Sequence, residues 1–267
     1  MDSNLTYAFI LTLLAGLSTS IGSAIVLFSK KFSPKFLAAS LGFSAGVMIF
    51  ISLVELLNDS RTRLGEIYGE NSGFLYALIA FFGGMALIAI IDNLVPSYEN
   101  PHEVGDLSIN ENGATRGDSP LMRVGIMSAL VIAIHNFPEG MATFVSAIND
   151  PGLGLSIAVA IGIHNIPEGI AVAVPIYYAT KSKAKAFTNA TLSGLAEPVG
   201  AVIGYFLLSF LFQENFMGII FAAIAGIMVY ISLDELLPTA EKYGEHHIAI
   251  LGVVAGMFVM GISLVLI

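Results

Sequence analysis

Eight stretches of this chain are apolar over the length a helix needs to cross a bilayer: 5–28, 36–57, 74–95, 122–148, 152–179, 186–212, 216–238 and 247–267. A hydrocarbon core takes about 20 such residues. Of 267 residues, 56% are hydrophobic and only 12% charged, against about 25% charged in soluble domains. That is too little polar surface to face water, so lipid is the expected surrounding. The reading is an all-α integral membrane protein of eight transmembrane helices, one domain over 1–267. The first apolar run follows Met1-Asp2-Ser3-Asn4, which lacks the positive region of a cleaved signal, so it is expected to stay in the mature protein. With no cysteine, disulfides and thiolate metal sites are excluded. A basic patch for nucleic acid is also absent.

Lysine and arginine placement predicts the orientation. Counting loops alternately, one side receives Lys30, Lys31, Lys35, Arg116, Arg123, Lys181, Lys183, Lys185 and Lys242, and the other only Arg61 and Arg63. The first side is expected to be cytoplasmic, in a cell membrane, with both termini outside. The long polar stretch, about 97–120, reads as a mobile cytoplasmic loop.

The chain also repeats itself upside down. Gly46-Val-Met-Ile-Phe-Ile-Ser-Leu-Val-Glu-Leu-Leu-Asn58 matches Gly226-Ile-Met-Val-Tyr-Ile-Ser-Leu-Asp-Glu-Leu-Leu-Pro238 at eight of thirteen positions. The second span runs outward and the seventh inward, so the copies are antiparallel. Spans four and five share Ile-His-Asn-x-Pro-Glu-Gly at 134–140 and 163–169. Inverted repeats around broken helices near the midplane are a transporter architecture.

Those shared motifs carry chemistry. At helical spacing His135 and Glu139 lie on one face, with Asn136 three residues before Glu139. His164, Asn165 and Glu168 repeat the pattern. Imidazole, amide oxygen and carboxylate form a borderline-to-hard ligand set, suited to Zn, Fe(II), Mn or Co. Two facing helices supply six ligands, enough for one or two ions. Pro138 and Pro167 free the carbonyls of Ile134 and Ile163, which at membrane depth is tolerated where a helix lines a cavity. Glu139, Glu168 and Glu197 sit well inside spans four to six, where no lysine or arginine stands at comparable depth. A charge at the centre of a span costs about 2.5–3.5 kcal/mol even on the mildest scale and marks an ion pathway. Protons or bound cations must neutralise these three, and the two histidines favour metal. The formal charge of −9 follows in part from them.

Glu55 lies near the outer end of span two, and Asp234 and Glu235 near the inner end of span seven. They are candidate linings of the metal pathway, or plain interfacial carboxylates. Ala196, Gly200 and Gly204 recur every four residues on span six, which marks either close packing within the chain or a homodimer seam. The competing reading of the metal motif is an intramembrane metal-dependent hydrolase. It lacks His-Glu-x-x-His and leaves no carboxylate over as general base.

The paired His-Asn-Phe-Pro-Glu-Gly at 135–140 and His-Asn-Ile-Pro-Glu-Gly at 164–169 resemble the signatures of the ZIP metal transporters, the zinc-regulated, iron-regulated transporter-like family. The likeness extends through Gly194-Leu-Ala-Glu-Pro198, Ser52-Leu-Val-Glu55 and Leu233-Asp-Glu-Leu-Leu-Pro238. It implies eight helices arranged as three, two and three, and a binuclear site between spans four and five. By position one metal would take His164, Glu139 and Glu168, with His135 close by. The second would take Asn136, Asn165, Glu139, Glu168 and Glu197, so that two glutamates bridge. The first site is associated with zinc and the second with iron(II), both as transported ions, with no organic cofactor. Members import zinc and tolerate iron(II), manganese, cobalt or cadmium. Many carry a histidine-rich run between spans three and four, where this chain has His102 alone.

Overall fold

The computed structural model describes residues 3–28, 33–94, 119–210, 214–243 and 246–266. Side chains at 3, 93–94, 119–132, 135, 175, 178–179, 207–210, 214–215, 243 and 266 fall outside that description. Nearly all of the predicted loop, with His102 and Arg116, therefore lies outside the described residues, as do Lys30 and Lys31. Among the described residues there is no strand. In order the chain forms α1 (Ser3–Phe28), α2 (Pro34–Phe50), π1 (Ile51–Leu56), α3 (Leu57–Tyr68), α4 (Glu70–Leu94), α5 (Ser119–Asn149) and α6 (Pro151–Thr180). It continues as α7 (Lys183–Gly194), α8 (Ala196–Phe210), α9 (Glu214–Ile231), π2 (Ser232–Leu236), α10 (Leu237–Tyr243) and α11 (His246–Leu266).

Among the described residues, six runs are long and apolar enough to cross a membrane: Asn4–Phe28, Pro34–Tyr68, Glu70–Asp92, Pro151–Val174, Phe216–Lys242 and His246–Val265. The fifth α-helix is 31 residues long, while α7 and α8 have 12 and 15. Outward faces are apolar, as on α4 (Leu75, Ile79, Phe82) and α11 (Leu251, Val254, Phe258).

Two local features differ from the sequence reading. Helix continues past the second predicted span to Tyr68, so Arg61 and Arg63 stand on α3 rather than in a loop. Arg63 Nε donates to Asp59 Oδ2 at 2.7 Å, and the Arg61 guanidinium lies 5.1 Å from the Phe74 ring centre. The helix stops at Gly69, whose φ of 83° suits glycine. The second feature is where helices break. Both α5 and α6 run unbroken through Pro138 and Pro167, and the interruption falls in the sixth span, at Leu195. There Pro198 stands in the first turn of α8, where a missing N–H costs no intrahelical bond.

The inverted copies each carry a π turn at the same place in the repeat, Ile51–Leu56 and Ser232–Leu236. A π turn is a local widening of the helix, frequent at functional sites. Each packs against the other copy's helix, π1 on α9 and π2 on α2.

Packing, most of it at glycines, divides the helices into two sets. In the first, a Cβ on Gly22 would strike the carbonyl of Ile166, one on Gly169 that of Thr19, and one on Gly200 that of Phe137. With Gly16 on the Gly194 carbonyl and Gly154 on the Ala147 backbone, α1, α5, α6, α7 and α8 are in backbone contact. In the second, Gly42 and Gly46 meet Ala249 and Val253, and Gly84 and Gly226 meet Ala223 and Phe81. These pair α2 with α11 and α4 with α9; α3 packs on α4 and α9, and the π turns tie the two pairs together, π1 on α9 and π2 on α2. Each described glycine's nearest neighbours stay within its own set. Between the sets, α2 lies on α6, with smaller contacts of α5 on α9 and α11 on α6. Gly200 and Gly204 face α5, so their stripe is spent on packing inside the chain.

Adjacent glycines on α4 test this packing. A Cβ on Gly83 meets nothing within 4 Å, whereas one on Gly84 lands on the Ala223 carbonyl. Gly83→Ala is expected to leave the melting temperature in detergent unchanged or slightly raised, since alanine is about 1 kcal/mol the better helix former. Gly84→Ala is expected to lower it by several degrees, because overpacking costs about 1–3 kcal/mol even where side chains can yield. Equal melting of the two variants would contradict the packing described.

Candidate metal centre

One residue, Asp150, separates α5 from α6. It caps α6: its Oδ1 accepts from Gly152 N at 2.9 Å and Leu153 N at 3.1 Å, with Pro151 at the first helical position. A connection this short makes α5 and α6 antiparallel neighbours. Glu139 stands eleven residues before Asp150 and His164 fourteen after. At 1.5 Å per residue both lie about 16–21 Å from the turn, so the two motifs meet at one depth.

There the ligand-type side chains converge. Glu139, His164 and Glu168 each offer an atom within 4.8 Å of the others, and all three are fully buried. His164 Nε2 lies 3.1 Å from Glu139 Oε1 and 4.0 Å from Glu168 Oε1. Zinc bonds of about 2.0–2.2 Å in tetrahedral array set ligand atoms about 3.3–3.6 Å apart, between the two distances found.

Beside this group lie Asn136, Asn165 and Glu197, also fully buried. Asn136 Nδ2 donates to the Ser193 carbonyl at 3.3 Å. Asn165 Nδ2 donates to the Ala15 carbonyl at 3.0 Å and to Glu197 Oε1. Asn165 Oδ1 has no hydrogen-bond partner among the described residues. Such a buried oxygen is costly unless something electropositive meets it. The break at Leu195 sets Glu197 in the first turn of α8, and Gly140 lets its backbone come against α5.

Not every predicted residue joins the cluster. The side chain of His135 lies outside the described residues. Glu55 stands on π1, and Asp234 and Glu235 on π2, half-buried and away from the buried group. His246 and His247 are exposed, with His246 Nδ1 2.6 Å from Glu241 Oε1.

A model of the ZIP zinc transporter family matches residues 92–264, the span that holds both motifs and Glu197. The chain belongs to the ZIP zinc transporter family. It is 57% identical to the zinc transporter ZupT of Chlorobaculum parvum over 266 residues, covering 100% of this chain and 99% of that protein. The zinc transporter ZupT of Chlorobium chlorochromatii is 58% identical over 266 residues, again 100% and 99%. That of Clostridium perfringens is 55% identical over 276 residues, covering 99% and 97%. ZIP proteins are membrane transporters, not enzymes, and the hydrolase reading falls.

This ZIP chain also brings groups to the centre that its motifs do not announce. Ser44 Oγ, on α2, donates to Glu168 Oε1 at 2.8 Å. The carbonyls of Ala15 and Ser193 hold the two asparagines. Carbonyls leave no mark in a sequence, and one serine in an apolar run leaves hardly more.

Proposed function

We propose that this chain carries zinc into the cell across the plasma membrane, and accepts iron(II), manganese, cobalt or cadmium in its place. The observation that carries the reading is the buried Glu139–His164–Glu168 group, with ligand atoms within 4.8 Å at the depth where α5 and α6 face each other. Glu139 and Glu168 bridge two ions. One is completed by His164 with His135 close by, the other by Asn136, Asn165 and Glu197. The orphaned Asn165 Oδ1 supports an oxygen-rich second position, better suited to iron(II) than to a thiophilic metal.

The eight spans form one domain arranged as three, two and three, with α7 and α8 together making the sixth. Lysine and arginine placement supports both termini outside. Glu55 and the pair Asp234 and Glu235 line the two ends of the path, and their π turns support that reading, since widened helical turns recur at functional sites. Transport proceeds by alternating access. The glycine contacts favour a moving part made of α1, α5, α6, α7 and α8 rather than of one sequence repeat, because these helices share backbone contact and carry the whole metal group.

The test uses purified protein in vesicles with a metal-sensitive dye inside. Zinc is expected to raise the signal at rates that saturate with its concentration, and each of iron(II), manganese, cobalt and cadmium to slow zinc when added outside. A signal no faster than that of protein-free vesicles would overturn the proposal.

A further inference from the structure

Hydroxyls buried in apolar helices ordinarily turn back on their own backbone. Thr12, Ser18, Ser193 and Ser232 do so here, donating to the carbonyls of Ala8, Ala15, Ala190 and Met228 at 2.9, 2.5, 2.8 and 2.8 Å. Ser44 is as deeply buried, yet its hydroxyl leaves α2 and reaches Glu168 Oε1 on α6 at 2.8 Å. The two residues stand in different sets. Glu139, His164, Asn165 and Glu197 all stand in the same set as Glu168. Through the Ser44 hydroxyl the second set touches the metal group directly.

We propose that Ser44 is a positioning residue that ties metal affinity to the register of the two helix sets. The inference rests on the transport reading above. A glutamate has three side-chain torsions, and a metal site needs its carboxylate already aimed. By holding one oxygen, Ser44 fixes the direction in which the Glu168 carboxylate faces His164 and Glu139. A hydrogen bond to a charged acceptor is stronger than a neutral one, and it is gone by about 3.6 Å. A displacement of α6 against α2 by a single ångström therefore removes it. The distances among Glu139, His164 and Glu168 are internal to one set and survive the same displacement. The site thus binds tightly with Ser44 alongside and less tightly once it has moved away. Linkage makes this reciprocal: zinc stabilises the register seen here by the factor through which that register favours zinc.

The test compares Ser44→Ala and Ser44→Thr with the unaltered chain, by zinc calorimetry in detergent and zinc uptake in vesicles. Loss of a partner that orients a metal ligand typically weakens affinity about 10–100-fold, and Ser44→Ala is expected near about tenfold in both Kd and KM. Its Vmax should not fall, because the change of register has one bond fewer to break. Ser44→Thr keeps the hydroxyl and should lie closer to the unaltered chain than alanine does in both constants. A purely packing role gives another pattern, a lower Vmax from less folded protein at unchanged KM and Kd, and that result would overturn the proposal. An unaltered chain that neither binds nor carries zinc would overturn the transport reading itself. Normal zinc handling by the unaltered chain with an unchanged Kd in Ser44→Ala would remove this inference alone.

Discussion

Glu139→Ala and Glu168→Ala are each expected to abolish zinc uptake, by at least about a hundredfold. Removing a partner that merely orients a ligand already costs about 10–100-fold in affinity, and each of these substitutions removes a proposed ligand itself. The geometry makes the loss hard to repair. Both carboxylates are fully buried, and His164 Nε2 faces them at 3.1 and 4.0 Å. Both variants should fold, since alanine is smaller and suits a helix. The checks are zinc uptake into dye-loaded vesicles and zinc calorimetry on the same preparation. Uptake at the ordinary rate by either variant would show that the two carboxylates do not act jointly on the transported ion.

The second large effect is expected at a residue with no side chain. A Cβ on Gly140 would fall on the carbonyl oxygen of Glu197, with that residue's carbonyl carbon and Cα both 2.5 Å away. All three are backbone atoms, so no rotamer change gives relief. Gly140→Ala must push α8 away from α5 or fail to assemble. Either result separates Glu197 from the ligands on α5. Overpacking a protein interior costs about 1–3 kcal/mol where side chains can shift, and a rigid carbonyl places this change at or above the top of that range. The expected result is a sharp fall in the melting temperature in detergent, together with loss of zinc uptake. Retention of both would mean that α8 is looser against α5 than described.

The two predictions draw on features that differed in how openly the sequence displayed them. Glu139, His164 and Glu168 could be brought together on paper, because the 3.6-residue period puts positions four apart on one face and the motif occurs twice. The membrane-crossing runs were legible for a similar reason, since length and apolarity are properties of a segment alone. The helix break was not. Pro138 and Pro167 suggested it, but a proline removes one hydrogen bond and neighbouring turns can hold the helix together around it. The chain breaks instead at Leu195, ahead of Pro198. The π turns also escaped notice. Ile-Ser-Leu-Val-Glu-Leu and Ser-Leu-Asp-Glu-Leu contain no glycine or proline to mark a widened turn, although the repeat containing them was plain. Partners were the least visible. Gly140 advertises that something comes close without saying what, and Ser44 lies 124 residues from the carboxylate it holds.

The division of the helices into two packed sets has a consequence for how the protein is made. Neither set is continuous along the chain. The first takes α1 and then waits for α5 to α8, while the second takes α2 to α4 and closes only with α9 to α11. As a ribosome feeds helices into the bilayer in order, α1 enters with Gly22 facing no partner until α6 has followed. Gly42 and Gly46 on α2 wait still longer, because Ala249 and Val253 lie on the last helix. Consecutive helices such as α5 and α6 can pack as they enter, but α1 and α2 cannot complete their seams. Assembly must hold half-built pieces in lipid until the final segment is released, and a chain cut short before α11 would leave the backbone seam on α2 open from end to end.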